Sequence, residues 1–199
     1  MRIILIALLF IFSSLAIAQQ QSKQEDPGYW KNSPYASLLP PFCGASKDPR
    51  YKNVDWKKRY GSEMTWNNHY CKALTRIPLC RKKYGKRKKD CLYIQEEGFT
   101  YWLSHIKNPD FKLLPYIYVG YGDLLNEIGD SGKAITQYIN ALERDPKYIK
   151  AYKGLIDTYI KLGMLEDAEQ AVNSALKIKK TKSLLRRKKE IEKLNEVSP

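Results

Sequence analysis

PYIYVGYGDLLNEIGDSGKAITQYINALERDPKY spans residues 115–148, and IKAYKGLIDTYIKLGMLEDAEQAVNSALKIKKTK follows it at 149–182. Laid on each other without a gap, the two stretches agree at Tyr118/Tyr152, Gly120/Gly154, Asp123/Asp157, Gly129/Gly163, Ala134/Ala168, Ala141/Ala175 and Leu142/Leu176. Unrelated stretches of this length would share about two identities, so a unit of 34 residues is repeated. Each unit carries two helical patterns. In the first unit one runs through Tyr118, Tyr121 and Leu125 and the other through Ala134, Tyr138 and Ala141, with a turn at Gly129 and Asp130 between them. Small residues at Gly122, Ala134 and Ala141 let the helices approach, and aromatic rings fill the space between them. The expected structure is a helical hairpin stacked on its own copy.

These residues resemble the tetratricopeptide repeat family, whose pattern sets a large residue, Leu-Gly, Tyr, Ala, Phe, Ala and Pro within one unit. The first unit supplies Tyr118, Tyr121, Gly122, Leu125, Ala134, Tyr138, Ala141 and Pro146, with Tyr121 in place of the usual aliphatic residue. The second supplies Tyr152, Leu155, Tyr159, Ala168, Val172 and Ala175, but has Ile156 for the small residue and Lys180 for the proline. The resemblance implies an all-α solenoid whose first helices line a concave groove. Carried over residue by residue, it puts Tyr116, Val119, Asp123 and Asn126, then Lys150, Lys153, Asp157 and Ile160, on that surface. The mixture suits an extended peptide or a partner helix, with Tyr116, Val119 and Ile160 giving apolar area and Lys150 and Lys153 reading acidic groups. It departs from the carboxylate clamp of chaperone-binding members, whose Lys and Asn become Val119 and Asp123. The competing assignment is that these residues contact the chain's own N-terminal strap.

Two repeats leave their outer faces bare, and stacked hairpins need neighbours or caps. Residues 183–199 supply a C-terminal cap and tail, with Leu184, Leu185, Ile191 and Leu194 on one side of a helix and Arg186 to Glu190 elsewhere. On the other flank, a helix over 62–77, ended by Pro78, pairs with one over 91–107 to form a divergent hairpin within residues 61–112. Residues 19–60, rich in Gln, Lys, Pro, Gly and Asn, form an irregular strap, and residues 113–182 hold the two repeats.

Cys43, Cys71, Cys80 and Cys91 crowd into one stretch, which reads as two disulfides in an oxidising compartment. Zinc is the rival, but no C-x-x-C is present. A helix continuing through this region would hold Cys71 and Cys80 about 13 Å apart, too far to bond. Two pairings survive, and Cys43 with Cys71 and Cys80 with Cys91 is preferred. Each bridge would contribute about 2–4 kcal/mol. The stretch Leu39 to Cys43, taken with His69 to Cys71, resembles the leader of some small exported bacterial repeat proteins, a likeness that brings no activity with it.

Residues 1–18 have the charged, apolar and small-residue order of a secretory signal peptide, with cleavage expected before Gln19 and a periplasmic or secreted destination. The run from Ile3 to Phe12 is short for a bilayer crossing. The 199-residue chain is too small for a large multidomain enzyme, and Lys and Arg outnumber Asp and Glu by 35 to 21, giving +14. Loss of the leader would leave +13. Seven cations, Arg81, Lys82, Lys83, Lys86, Arg87, Lys88 and Lys89, form one cluster, a closed positive loop if Cys80 bonds Cys91. A second runs from Lys177 to Lys189. Export argues against nucleic acid and for anionic headgroups, lipopolysaccharide or acidic proteins, against the plainer assignment of a solubilising surface. The two histidines, His69 and His105, stand apart from any nucleophile arrangement, and no phosphate loop, G-x-S-x-G or H-E-x-x-H occurs. Two functions follow as expectations, both without catalysis, cofactor or metal: an exported adaptor holding a protein or peptide of the cell envelope in its groove, or a binder of anionic envelope surfaces.

Overall fold

The protein is described by a computed structural model that covers residues 29–44 and 46–197. The signal peptide expected at 1–18 lies outside the described residues, as does the start of the strap. Among the described residues eight α-helices follow one another: α1 Trp56–Tyr60, α2 Asn68–Arg81, α3 Gly85–His105, α4 Leu114–Ile128, α5 Ser131–Arg144, α6 Ile149–Lys161, α7 Leu165–Ile178 and α8 Lys182–Val197. Among the described residues there is no strand. Each helix from α2 onward packs on the next, and α4 also lies along α6, and α6 along α8. The chain is therefore an all-α solenoid in which α4, α6 and α8 line one side and α5 and α7 the other.

The repeat hairpins form for local reasons. Pro115 opens α4, where a missing N–H costs nothing. Gly129, at φ +100°, closes it with its N–H on the Leu125 carbonyl, a left-handed conformation that favours glycine. The Asp130 carboxylate then accepts the Lys133 N–H and caps α5. Between the hairpins, Tyr138 of α5 is clasped by two glycines. A Cβ on Gly122 would lie 2.7 Å from the Tyr138 ring, and one on Gly154 only 2.4 Å. Gly120 receives Phe99 of α3 in the same way, with a hypothetical Cβ at 3.3 Å. The Gly120/Gly154 identity of the repeat thus has a physical cause: each admits a ring from the second helix of the preceding hairpin. Phe99 in α3 is the counterpart of Tyr138.

The first hairpin departs from its expected bounds. Residues Ser62–Trp66 form a 3-10 turn, held where the Trp102 indole donates to the Glu63 carbonyl at 2.8 Å, and α2 starts only at Asn68. Pro78 lies inside α2 rather than ending it. Ile77 and Cys80 are buried and Cys80 is tied to Cys91, so packing carries the helix past the missing N–H. Helix α3 begins at Gly85, before Cys91, and the basic run from Lys86 to Lys89 is its first turn rather than a loop.

Both bridges join the expected partners, Cys43 with Cys71 and Cys80 with Cys91, at Cα separations of 5.7 and 5.4 Å. The strap is a chain of short 3-10 turns folded over the first hairpin. The Trp30 indole donates to the Cys43 carbonyl at 2.9 Å, and Phe42 enters a cluster of Trp56, Tyr70, Trp102 and Tyr116, with ring centroids 5.7–6.5 Å away. At the other end, Leu184 and Ile191 of α8 close a small cluster with Ile156, Ala168, Val172 and Ala175. Leu185 and Leu194, expected on the same side, are exposed. Residues 184 and 191 share a face two turns apart, whereas 185 is rotated about 100° from 184 and 194 lies beyond that seven-residue pair.

Candidate functional site

The inner surface is built from α4 and α6. Tyr116 is half-buried, its ring edge-on to Phe42 at 5.9 Å, with the Lys150 ammonium 6.0 Å from its centroid. Burial pushes its hydroxyl pKa up, opposed by a hydrogen bond with Tyr70. The strap therefore touches the first groove position through Phe42. Asp123 keeps an exposed edge while its carboxylate accepts the Tyr138 hydroxyl at 2.8 Å. Desolvation there raises its pKa, against the opposing pull of Tyr138, Arg81 and Lys150. Lys150 is exposed and Lys153 half-exposed, and neither forms an ion pair among the described residues. Asp157, also exposed, is held by Arg187 of α8, whose Nε donates to it at 2.6 Å.

Three carried-over positions do not serve as expected. Val119 is buried, because α4 packs between α3 and α6 and that part of its face is interior. The Asn126 amide donates to the Tyr138 hydroxyl at 3.2 Å and to Thr158 Oγ1 at 2.5 Å, bridging α4, α5 and α6; its own Oδ1 is buried without a partner. Ile160 is half-buried against the C-terminal cluster. The structure thus gathers Tyr116, Asp123, Lys150, Lys153 and Asp157 on one surface and withdraws Val119 and Asn126 from it. Arg187 and Phe42 were not anticipated there. Continuing the repeat register by 34 residues from Lys153 lands on Arg187, a signal present in the sequence. Nothing local marked Phe42.

The basic cluster is divided by its partners. Arg81 and Lys88 both bind Glu127 of α4, at 2.8 and 3.0 Å, and Lys82 stands 5.5 Å over the Tyr35 ring. Burial pushes the Glu127 carboxyl up, but the hydrogen bonds from Arg81 and Lys88 outweigh it and leave its pKa below the ordinary value. Lys83, Lys86, Arg87 and Lys89 remain exposed and outside any ion pair. The histidines stack on opposite sides of one ring: His69 lies 4.0 Å and His105 4.3 Å from Tyr101. Cys71 is closed in its disulfide, so it forms no nucleophile pair with His69. Among the described residues no group of three or more His, Cys, Asp or Glu is placed to hold a metal ion, and no helix is long and apolar enough to cross a membrane.

Residues 126–188 match the family model described as tetratricopeptide repeat, from the end of α4 through α5, α6 and α7 into α8. Comparison with curated proteins gives no match. The matched segment is similar to tetratricopeptide repeats, and the described residues form an all-α solenoid consistent with repeats of that type, with a disulfide-stapled N-terminal hairpin. Such repeats are a non-catalytic fold used to hold other proteins. The match begins at Asn126 of α4, after Tyr116, Val119 and Asp123, and ends within α8.

Proposed function

We propose that the protein is a non-enzymatic exported adaptor that holds an extended segment of another envelope protein against α4, α6 and α8. The observation that carries this reading is the strip of Asp123, Lys150, Lys153 and Asp157 on α4 and α6, two cations flanked by two carboxylates, solvent-accessible beside the Phe42–Tyr116 contact. Tyr116 supplies an apolar end, and the charges set register and discriminate against wrong partners. Two disulfides support an oxidising compartment, in keeping with the leader read at residues 1–18. The test is a photo-crosslinking residue placed at Lys153 in intact cells. Discrete adducts are expected from position 153, lost when Lys150→Glu is added, and none from position 139 on the outer helix α5. Equal adducts from both positions, or from neither, would sink the adaptor reading.

A second reading, contact with anionic envelope surfaces, is favoured by one observation. Lys83 in the α2–α3 turn, with Lys86 and Arg87 in the first turn of α3, is exposed and in no ion pair among the described residues, at the positive end of the α3 dipole, where cations are disfavoured unless an external anion offsets them. The groove and this turn occupy different parts of the solenoid, so both functions are compatible in one molecule.

A further inference from the structure

The hairpin turns divide between two edges of the solenoid. The α2–α3, α4–α5 and α6–α7 turns share one edge: Lys89 and Tyr93 at the start of α3, residues Ile128–Gly132, and Lys161 with Leu162 line a single open trough. This edge collects exposed large apolar side chains. Tyr84 is 88% exposed at the tip of the α2–α3 turn, Tyr93 62%, and Leu162 and Met164, in the α6–α7 turn, 47% and 40%. Lys83, Lys86 and Arg87 surround Tyr84, and Lys89 lies beside Tyr93. The opposite edge differs. Its turns at 106–113 and 145–148 hold none of the exposed large apolar residues and mix Asp110 and Asp145 with Lys112 and Lys147, and its third turn, at 179–181, has Lys179 and Lys180 but only Ile178, 37% exposed, beside them.

From this asymmetry we infer that the edge bearing the α2–α3 turn docks on an anionic phospholipid bilayer, with Tyr84 and Tyr93 entering the headgroup layer between the lysines. The inference rests on the second reading above and names its partner. Charge complementarity selects the sign of the surface: Lys83, Lys86 and Arg87, exposed and in no ion pair among the described residues, are held in place because the Cys80–Cys91 bridge closes the turn beneath them. The apolar component selects lipid over a protein or a soluble polyanion. A protein partner seats aromatic anchors in matching pockets, whereas Tyr84 stands 88% exposed among Lys83, Lys86 and Arg87, and Tyr93 62% exposed beside Lys89, the arrangement suited to a fluid interface. Contact is centred on the α2–α3 turn rather than spread evenly, because Glu166 and Asp167 in the first turn of α7 repel the surface at the far end, where Leu162 and Met164 only extend the footprint.

The experiment is co-sedimentation of the full chain with vesicles of equimolar phosphatidylcholine and phosphatidylglycerol, with phosphatidylcholine vesicles and immobilised heparin as parallel arms. All variants carry the same N-terminal segment, so its contribution cancels. Binding is expected to the mixed vesicles, to weaken steeply with salt, and to fall to a small residue on phosphatidylcholine alone. The triple variant Lys83→Glu, Lys86→Glu, Arg87→Glu should lose vesicle affinity by about a hundredfold or more, at roughly fivefold for each cation near the surface. The decisive variant is Tyr84→Ser with Tyr93→Ser, both on exposed positions that leave the core untouched, with helicity by circular dichroism as the control. It should lose about tenfold on mixed vesicles and keep its heparin affinity. Heparin binding without vesicle binding, or vesicle binding indifferent to the two tyrosines, would overturn the lipid inference and leave the charge reading standing. Loss of binding in every arm would remove both.

Discussion

Tyr138 shows how much one side chain can organise in a repeat of this kind. Its ring fills the space between α4, α5 and α6 that Gly122 and Gly154 leave open, and its hydroxyl donates to Asp123 while accepting from Asn126. Alanine at 154 would gain about 1 kcal/mol of helix propensity, but its Cβ would meet ring atoms at 2.4 and 2.5 Å, a clash that costs about 1–3 kcal/mol. The clash should win because the ring is anchored at both ends. Gly154→Ala is therefore expected to lower the urea midpoint, whereas Gly132→Ala, with nothing within 4 Å of the new Cβ, should raise it. An equal effect of the two substitutions would contradict the packing argument. The small residues were visible in the sequence; that Gly120 and Gly154 each admit a ring from the preceding hairpin was not, because the ring comes from another helix.

Between elements, the seams of the solenoid are stitched by polar groups from neighbouring hairpins. Glu127 ties α4 to Arg81 of α2 and Lys88 of α3; Asn126 ties α4 to Thr158 of α6; Asp157 ties α6 to Arg187 of α8. The first seam has a definite pH dependence. The folded pKa of Glu127 lies below its ordinary 4.5, so the stabilisation is complete above that pH and is lost as pH falls through the lower folded value. Glu127→Gln should cost roughly 1 kcal/mol at pH 7, the small figure reflecting partial exposure. The difference between the two proteins should shrink as the pH falls below 4.5 and vanish once Glu127 is protonated in the folded state. A difference that persists at acid pH would show that the seam is held by packing alone. Helix identity was legible here from periodicity, but the bounds of α2 and α3 were not. Pro78 and the cluster of charges argued for breaks that burial of Ile77 and Cys80, and the Cys80–Cys91 bridge, override.

At the scale of the molecule, the core falls into two clusters. The larger runs from Trp30 through the strap, the first hairpin and the first repeat to Leu155, and the smaller holds Ile156, Ala168, Val172, Ala175, Leu184 and Ile191. The larger is crossed by both disulfides and the smaller by neither. Since each hairpin in such an array contacts only its neighbours, stability is set locally. Hydrogen exchange should accordingly show α7 and α8 opening before α2 to α5. Ile191→Ala, which removes a buried side chain at about 2–4 kcal/mol, should strip protection from α7 and α8 and leave α2 to α4 unchanged. A uniform loss of protection along the chain would mean that the two clusters unfold as one.

The sequence by itself determined the hairpins, their repeat length and their caps, because helical periodicity, turn glycines and the spacing of small and large residues are local properties. Tertiary structure alone decided which groove positions are free. Whether Val119 faces a partner or the interior, whether Arg81 and Lys88 are available or held by Glu127, and that Phe42 of the strap meets Tyr116 depend on what neighbouring segments bring alongside. Those distances are fixed by packing between segments far apart in the chain, and no pattern within a single segment encodes them.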